Sequence, residues 1–112
     1  MEVRALASNQ PVAPRKVRLL LDMISGRTVE EALALLSFMP QASARIVWKT
    51  VKSAAANAEN NFGIDPDQLK VKRATAGDAR TLKRFRARSR GRTAPRLKRY
   101  SHIEVVVEGE AF

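Results

Sequence analysis

Residues 81–107 read TLKRFRARSRGRTAPRLKRYSHIEVVV, and this stretch decides what kind of fold the chain can adopt. Arg84, Arg86, Arg88, Arg90 and Arg92 recur at every second position, with Phe85, Ala87, Ser89 and Gly91 between them. In an extended strand, whose side chains alternate between two faces, that spacing makes one face all guanidinium. Ile103, Val105 and Val107 keep the same period with apolar side chains, which predicts a strand with one face in a core. Upstream, Leu69, Val71, Arg73 and Thr75 alternate and predict a second strand. Residues 76–101, between them, hold few large apolar groups. The predicted geometry is therefore an antiparallel two-stranded ribbon with a basic tip. Ser89 and Gly91 suit the reversal, because glycine tolerates positive φ, and Pro95 fits where its missing N–H is not needed. Ten residues of strand reach about 33 Å, well beyond the ~13 Å radius of a compact domain of this size. A two-stranded ribbon has no core of its own, so a partner is expected to order it.

Ahead of the ribbon the pattern is helical. Val3, Ala5 and Ala7 alternate with Glu2, Arg4 and Ser8 as a short strand ending at Pro11. From Pro14, the spacing Val17, Leu20, Leu21, Ile24 predicts an amphipathic helix with proline in its first turn and Gly26 as its stop. Thr28 followed by Glu31 is a capping box, and Val29, Leu33 and Leu36 mark the buried face of a second helix that ends before Pro40. Residues 41–61 lack proline and glycine, and Ala44, Val47, Val51, Ala54, Ala55 and Ala58 keep the helical period. The third helix is thus the longest. Gly63 ends it and Asp65-Pro66-Asp67 turns the chain. Trp48 and Phe38 are read as core residues.

The charge is concentrated. The 112 residues carry a formal +10. Residues 1–69 hold eight basic and seven acidic side chains, whereas 70–99 hold thirteen basic ones against the single acid Asp78. A solvated surface normally mixes signs, so a segment of one sign calls for an anionic partner, and nucleic acid is the simplest. Arginine suits that partner because its planar fork grips phosphate oxygens in pairs and stacks on bases. Lys83, Arg96, Lys98 and Arg99 extend the arginine run, and Arg15, Lys16 and Arg18 open the first helix with a second basic group. Lys49 and Lys52 on the long helix are weaker candidates.

Other chemistries lack their residues. There is no cysteine and His102 is the lone histidine, so disulfide frameworks, thiolate chemistry and a conventional zinc site are excluded, and no metal or cofactor is expected. No glycine-rich phosphate loop, nucleophile elbow or triad partner for His102 is present, which argues against an enzyme. Adjacent Glu30 and Glu31 do not face each other on a helix. Apolar runs such as Leu19–Leu21 and Val105–Val107 are far short of the roughly 18–20 residues that cross a bilayer. Without a signal-peptide pattern either, the chain reads as a soluble intracellular one. A helix-turn-helix DNA binder built on Gly26-Arg27-Thr28 is disfavoured because Val29–Met39 is apolar and acidic. A membrane-active cationic protein is disfavoured because the charge falls in strand-like sequence.

Three stretches together carry a family resemblance: Pro14-Arg15-Lys16-Val17-Arg18, then Ser53-Ala54-Ala55-Ala56-Asn57-Ala58-Glu59-Asn60-Asn61, then Lys83 through Arg88-Ser89-Arg90-Gly91-Arg92 to His102-Ile103-Glu104-Val105-Val106-Val107. In this order and spacing the chain resembles, over essentially its whole length, the bacterial form of the large-subunit ribosomal protein family numbered twenty-two. One departure is Ala13, where many relatives look to have serine, an N-cap worth ~1 kcal/mol. The resemblance implies an α+β fold: three helices packed on a small three-stranded antiparallel sheet, with a long protruding basic β-hairpin. It implies one domain over 1–112, with a globular body at about 1–75 and 101–112 and a hairpin arm at about 76–100. It also implies a non-enzymatic cytoplasmic ribosome component that binds large-subunit rRNA, supports early assembly and lays its hairpin along the nascent-polypeptide exit tunnel. The expected rRNA contacts add Asn57, Asn61, Lys72, Arg73, Arg80 and His102 to the cations above. The tip that would line the tunnel runs Arg86, Ala87, Arg88, Ser89, Arg90, Gly91, Arg92. Neighbouring large-subunit proteins, the nascent chain and macrolide antibiotics near the tip are the implied partners, with no membrane and no homo-oligomer.

Overall fold

Pro14 starts and Gly26 stops the first helix in the computed structural model, which describes residues 2–40, 42–87 and 93–109. The chain runs β1 (Glu2–Gln10), α1 (Pro14–Ile24), α2 (Val29–Phe38), α3 (Ala42–Phe62), a 3-10 turn (Pro66–Gln68), β2 (Lys70–Ala87) and β3 (Thr93–Glu108). Thr28 caps α2, its Oγ1 accepting from the Glu31 N–H at 3.2 Å, as the capping-box pattern predicts. Gly63, at φ 66°, ends α3 as predicted: its N–H donates to the Glu59 carbonyl and that of Ile64 to the Ala58 carbonyl.

The strands form one antiparallel sheet in the order β1-β3-β2. Three rungs face the helices: Val3–Val107–Val71, Ala5–Val105–Ala74 and Ala7–Ile103–Ala76. Val17, Ile24, Val47, Val51, Ala54 and Ala58 close over these rungs and are fully buried, so the α+β architecture of three helices on a small sheet is present. The small alanines of α3 let it lie close on β1 and β3. No helix among the described residues is long and apolar enough to cross a membrane.

Two sequence expectations need correction. The alternation Leu69, Val71, Arg73, Thr75 does not persist. Val71 pairs with Val107 and Arg73 with Val106, leaving Lys72 as an extra residue in a bulge. The inward parity switches there, so Ala74 and Ala76 face the helices while Arg73 and Thr75 are exposed. Phe38 is not core but 89% exposed. The α2 stripe buries Val29, Ala32 and Leu36, and Phe38, two residues past Leu36, falls about 200° further round the helix. Trp48 is half-buried against the core.

β1 pairs with β3 only as far as Gln10 and Ser101. Beyond that, β2 and β3 continue as a two-stranded ribbon from Thr81–Arg99 to Ala87–Thr93. The expected tip residues Arg88, Ser89, Arg90, Gly91 and Arg92 lie outside the described residues. The molecule measures 67 × 25 × 17 Å with a radius of gyration of 17.0 Å.

Candidate nucleic-acid interface

The helix α1 packs along β2, so the basic end of the helix lies beside the root of the ribbon. One interaction fixes this placement: Nε and Nη2 of Arg18 both donate to the Ala76 carbonyl, at 3.2 and 2.9 Å. Arg15 and Lys16, one turn or less from Arg18, are exposed, and their side chains form no hydrogen bond or ion pair among the described residues. Basic positions that are far apart in the chain are thereby brought onto neighbouring elements. Beyond Ala76 the strand register sets Arg84 opposite Arg96 and Leu82 opposite Lys98. Like charges directly across a strand pair oppose the pairing, so an anion lying along the ribbon would stabilise it.

β2 would be an open edge of the sheet if left bare. The α1–α2 turn covers its first residues: Gly26 N–H donates to the Val71 carbonyl, Val71 N–H to the Arg27 carbonyl and Val29 N–H to the Leu69 carbonyl. That turn is therefore part of the sheet edge, and α2 is held against α3. Neither element is presented as a DNA-reading helix.

Acidic groups collect at the other end. A groove between α2 and α3 is lined by Val29, Leu33, Ala55 and Ala56 together with Glu30, Glu59, Asp67 and the cation Lys52. Asp67 precedes Lys70, the start of β2, so this end lies about 20 Å of strand from Ala76. Formal charge is uneven along the sequence: residues 70–99 hold thirteen cations and one acid, residues 1–69 eight cations and seven acids.

The other predicted residues are differently employed. Lys72, in the bulge, forms an ion pair with Glu2 across β3. The hydrogen bond and charge of Lys72 hold the Glu2 carboxyl below the usual carboxylate range and, reciprocally, raise the Lys72 ammonium. Lys52 places its ammonium 5.0 Å from the centroid of the Trp48 ring. Lys49 lines a groove between α3 and β1 beside Leu6, Ile46 and Ser53. Asn57 is half-buried and Asn61 exposed one turn on, and neither is brought to the ribbon root by a bond. Arg73 is exposed, and His102 is half-buried opposite Gly77. The backbone of Arg80, Lys83, Arg84, Arg86, Arg96, Lys98 and Arg99 lies in the ribbon strands.

One residue escaped the sequence reading. Ser101 is fully buried and donates from Oγ to the Val12 carbonyl at 2.6 Å. Its parity with Ile103, Val105 and Val107 was the available signal, masked by the polar side chain. Among the described residues no cluster of three or more His, Asp or Glu side chains could hold a metal.

Comparison with known proteins returns one family. A family model described as ribosomal protein L22p/L17e matches residues 5–108. The large ribosomal subunit protein uL22 of Dehalococcoides mccartyi strain 195 is 50% identical over 107 residues, covering 96% of this chain and 98% of that protein. The protein of the same name from Clostridium novyi strain NT is 46% identical over 111 residues, covering 99% and 100%.

Proposed function

Because the chain belongs to the ribosomal protein L22p/L17e family, and is thus a non-enzymatic structural component of the large ribosomal subunit that binds rRNA, we propose how its parts divide that work. The body, about 1–75 and 101–112, recognises rRNA through Arg15 and Lys16 and sets the starting point of the arm. The arm, about 76–100, carries Arg80, Lys83, Arg84, Arg86, Arg88, Arg90, Arg92, Arg96, Lys98 and Arg99 between rRNA segments. There they replace condensed counterions, which supports early assembly of the subunit. The tip, 86–92, lies along the wall of the nascent-polypeptide exit tunnel, where the growing chain and macrolide antibiotics pass.

The observation that supports this reading best is the concentration of cations in residues 70–99 on strands whose root, at Ala76, is bonded to the basic start of α1. Such a molecule approaches a polyanion arm first. Each phosphate neutralised adds about 0.7–0.9 to the slope of log affinity against log salt. Binding of a large-subunit rRNA fragment, titrated from 50 to 500 mM salt, should therefore weaken steeply. A flat response would overturn the proposal. For the tunnel assignment, a photo-reactive group at Ser89 in assembled ribosomes should cross-link to a stalled nascent chain; cross-links to rRNA alone would place the tip elsewhere.

A further inference from the structure

We propose that Arg18 and Ser101 are positioning residues that fix the direction in which the arm leaves the body, and that Arg18 is not a phosphate contact. The inference rests on the rRNA-binding reading above. Ala76 belongs to the rung Ala7–Ile103–Ala76, one step before Gln10–Ser101–Asp78, the last on which all three strands pair. Its carbonyl receives two N–H groups of one guanidinium. Two N–H groups converging on one oxygen hold that point of β2 to α1 more firmly than a single hydrogen bond would. On the neighbouring strand, buried Ser101 is bonded to Val12, in the segment that leads from β1 into α1. The register pairs Ala76 with Ile103 and Asp78 with Ser101, so the two bonds grip the two ribbon strands within two residues of each other. Both bonds end on α1 or its lead-in.

Just beyond this grip the ladder slips. Asp78 pairs with Ser101 and Thr81 with Arg99, which leaves one extra residue on β2. A bulge at that point bends the strand and strengthens its twist. The ribbon from there to Ala87 is a lever: eleven residues from Ala76 extend about 36 Å, so a 5° error at the root displaces the far end by about 3 Å. That is a hydrogen-bond length, enough to misplace phosphate contacts along the arm. Holding the root on both strands before RNA arrives removes that search.

Salt dependence separates a positioning residue from a contact. In the full chain, Lys16→Gln should reduce the salt slope of rRNA-fragment binding by about 0.7–0.9. Arg18→Gln should weaken binding about tenfold at every salt concentration with the slope unchanged. Arg18→Lys, which keeps the charge and loses the fork, should behave like Arg18→Gln. A second readout needs no RNA. The chain has no cysteine, so spin labels on the double variant Glu30→Cys, Ala87→Cys report the body–arm distance alone. Its distribution should broaden in Arg18→Gln and in Ser101→Ala while the thermal midpoint of Arg18→Gln stays within a few degrees of wild type. A slope lowered by one phosphate in Arg18→Gln and restored in Arg18→Lys would overturn the inference, as would an unchanged distance distribution. A flat wild-type salt slope would refute the rRNA reading instead, and the distance measurement would still decide the clamp.

Discussion

One hydroxyl separates the starts of the two short helices. Thr28 caps α2 through Oγ1, whereas Ala13 precedes α1 with the extended backbone of an N-cap, φ −71° and ψ 134°, and no side chain to use it. Thr28→Ala should cost about 1 kcal/mol, and Ala13→Ser should gain about 0.5–1 kcal/mol, because only the second adds a bond to an orphan N–H. In a domain of this size those changes move the thermal midpoint by about 4–8 °C per kcal/mol in opposite directions, which calorimetry resolves. The Glu2–Lys72 pair makes a different prediction. A carboxyl held below its ordinary range contributes above its unfolded pKa and loses that contribution as pH falls through the folded value. Lys72, raised, contributes below its unfolded pKa and loses it as pH climbs through the folded one. The pair is therefore intact at neutral pH. It lies at the surface, so salt screens it. A carbon-detected NMR titration should find Glu2 depressed in dilute buffer and closer to an ordinary carboxylate in 1 M salt. Equal values in the two buffers would contradict a through-space cause.

At the scale of elements, packing decides where periodicity is obeyed. Helical spacing predicted α1, α2 and α3 within a residue or two, because each has one apolar stripe and a clear stop. Strand spacing predicted β2 but not its parity, because nothing in Val71-Lys72-Arg73-Ala74 announces a bulge. The single switch of inward parity at Lys72 is readable only when β3 is alongside. Phe38 is the complementary case: its hydrophobicity suggested core, and its angle on α2 places it in solvent. The contrast is measurable. Ile103→Ala removes a fully buried side chain of the central strand and should cost about 2–5 kcal/mol. Phe38→Ser should change stability by about 0.5 kcal/mol or less. A large loss for Phe38→Ser in the free protein would mean that the side chain is covered.

As a whole molecule, the chain departs from the compact norm. A domain of this length should have a radius of gyration of about 13 Å, and this one has 17.0 Å. The excess is the ribbon, and the buried side chains known for the described residues all belong to the body or to the strand segments within it. Replacing residues 80–99 by a two-residue Asn-Gly turn should therefore leave a cooperatively unfolding body while the salt slope of rRNA binding collapses. Loss of the cooperative transition would show that the arm contributes to the core. The sequence by itself determined the three helices, the α+β class, the ribbon and the polyanion partner, because period, capping residues and charge are local properties that neighbouring residues express without help. Only the tertiary structure decided which partners within the chain some of the cations meet: Arg18 on Ala76, Lys72 on Glu2, Lys52 over Trp48. The physical reason is range. A guanidinium reads the same in sequence whether its nearest acceptor is a phosphate or a carbonyl 58 residues away, and folding alone brings that carbonyl within 2.9 Å.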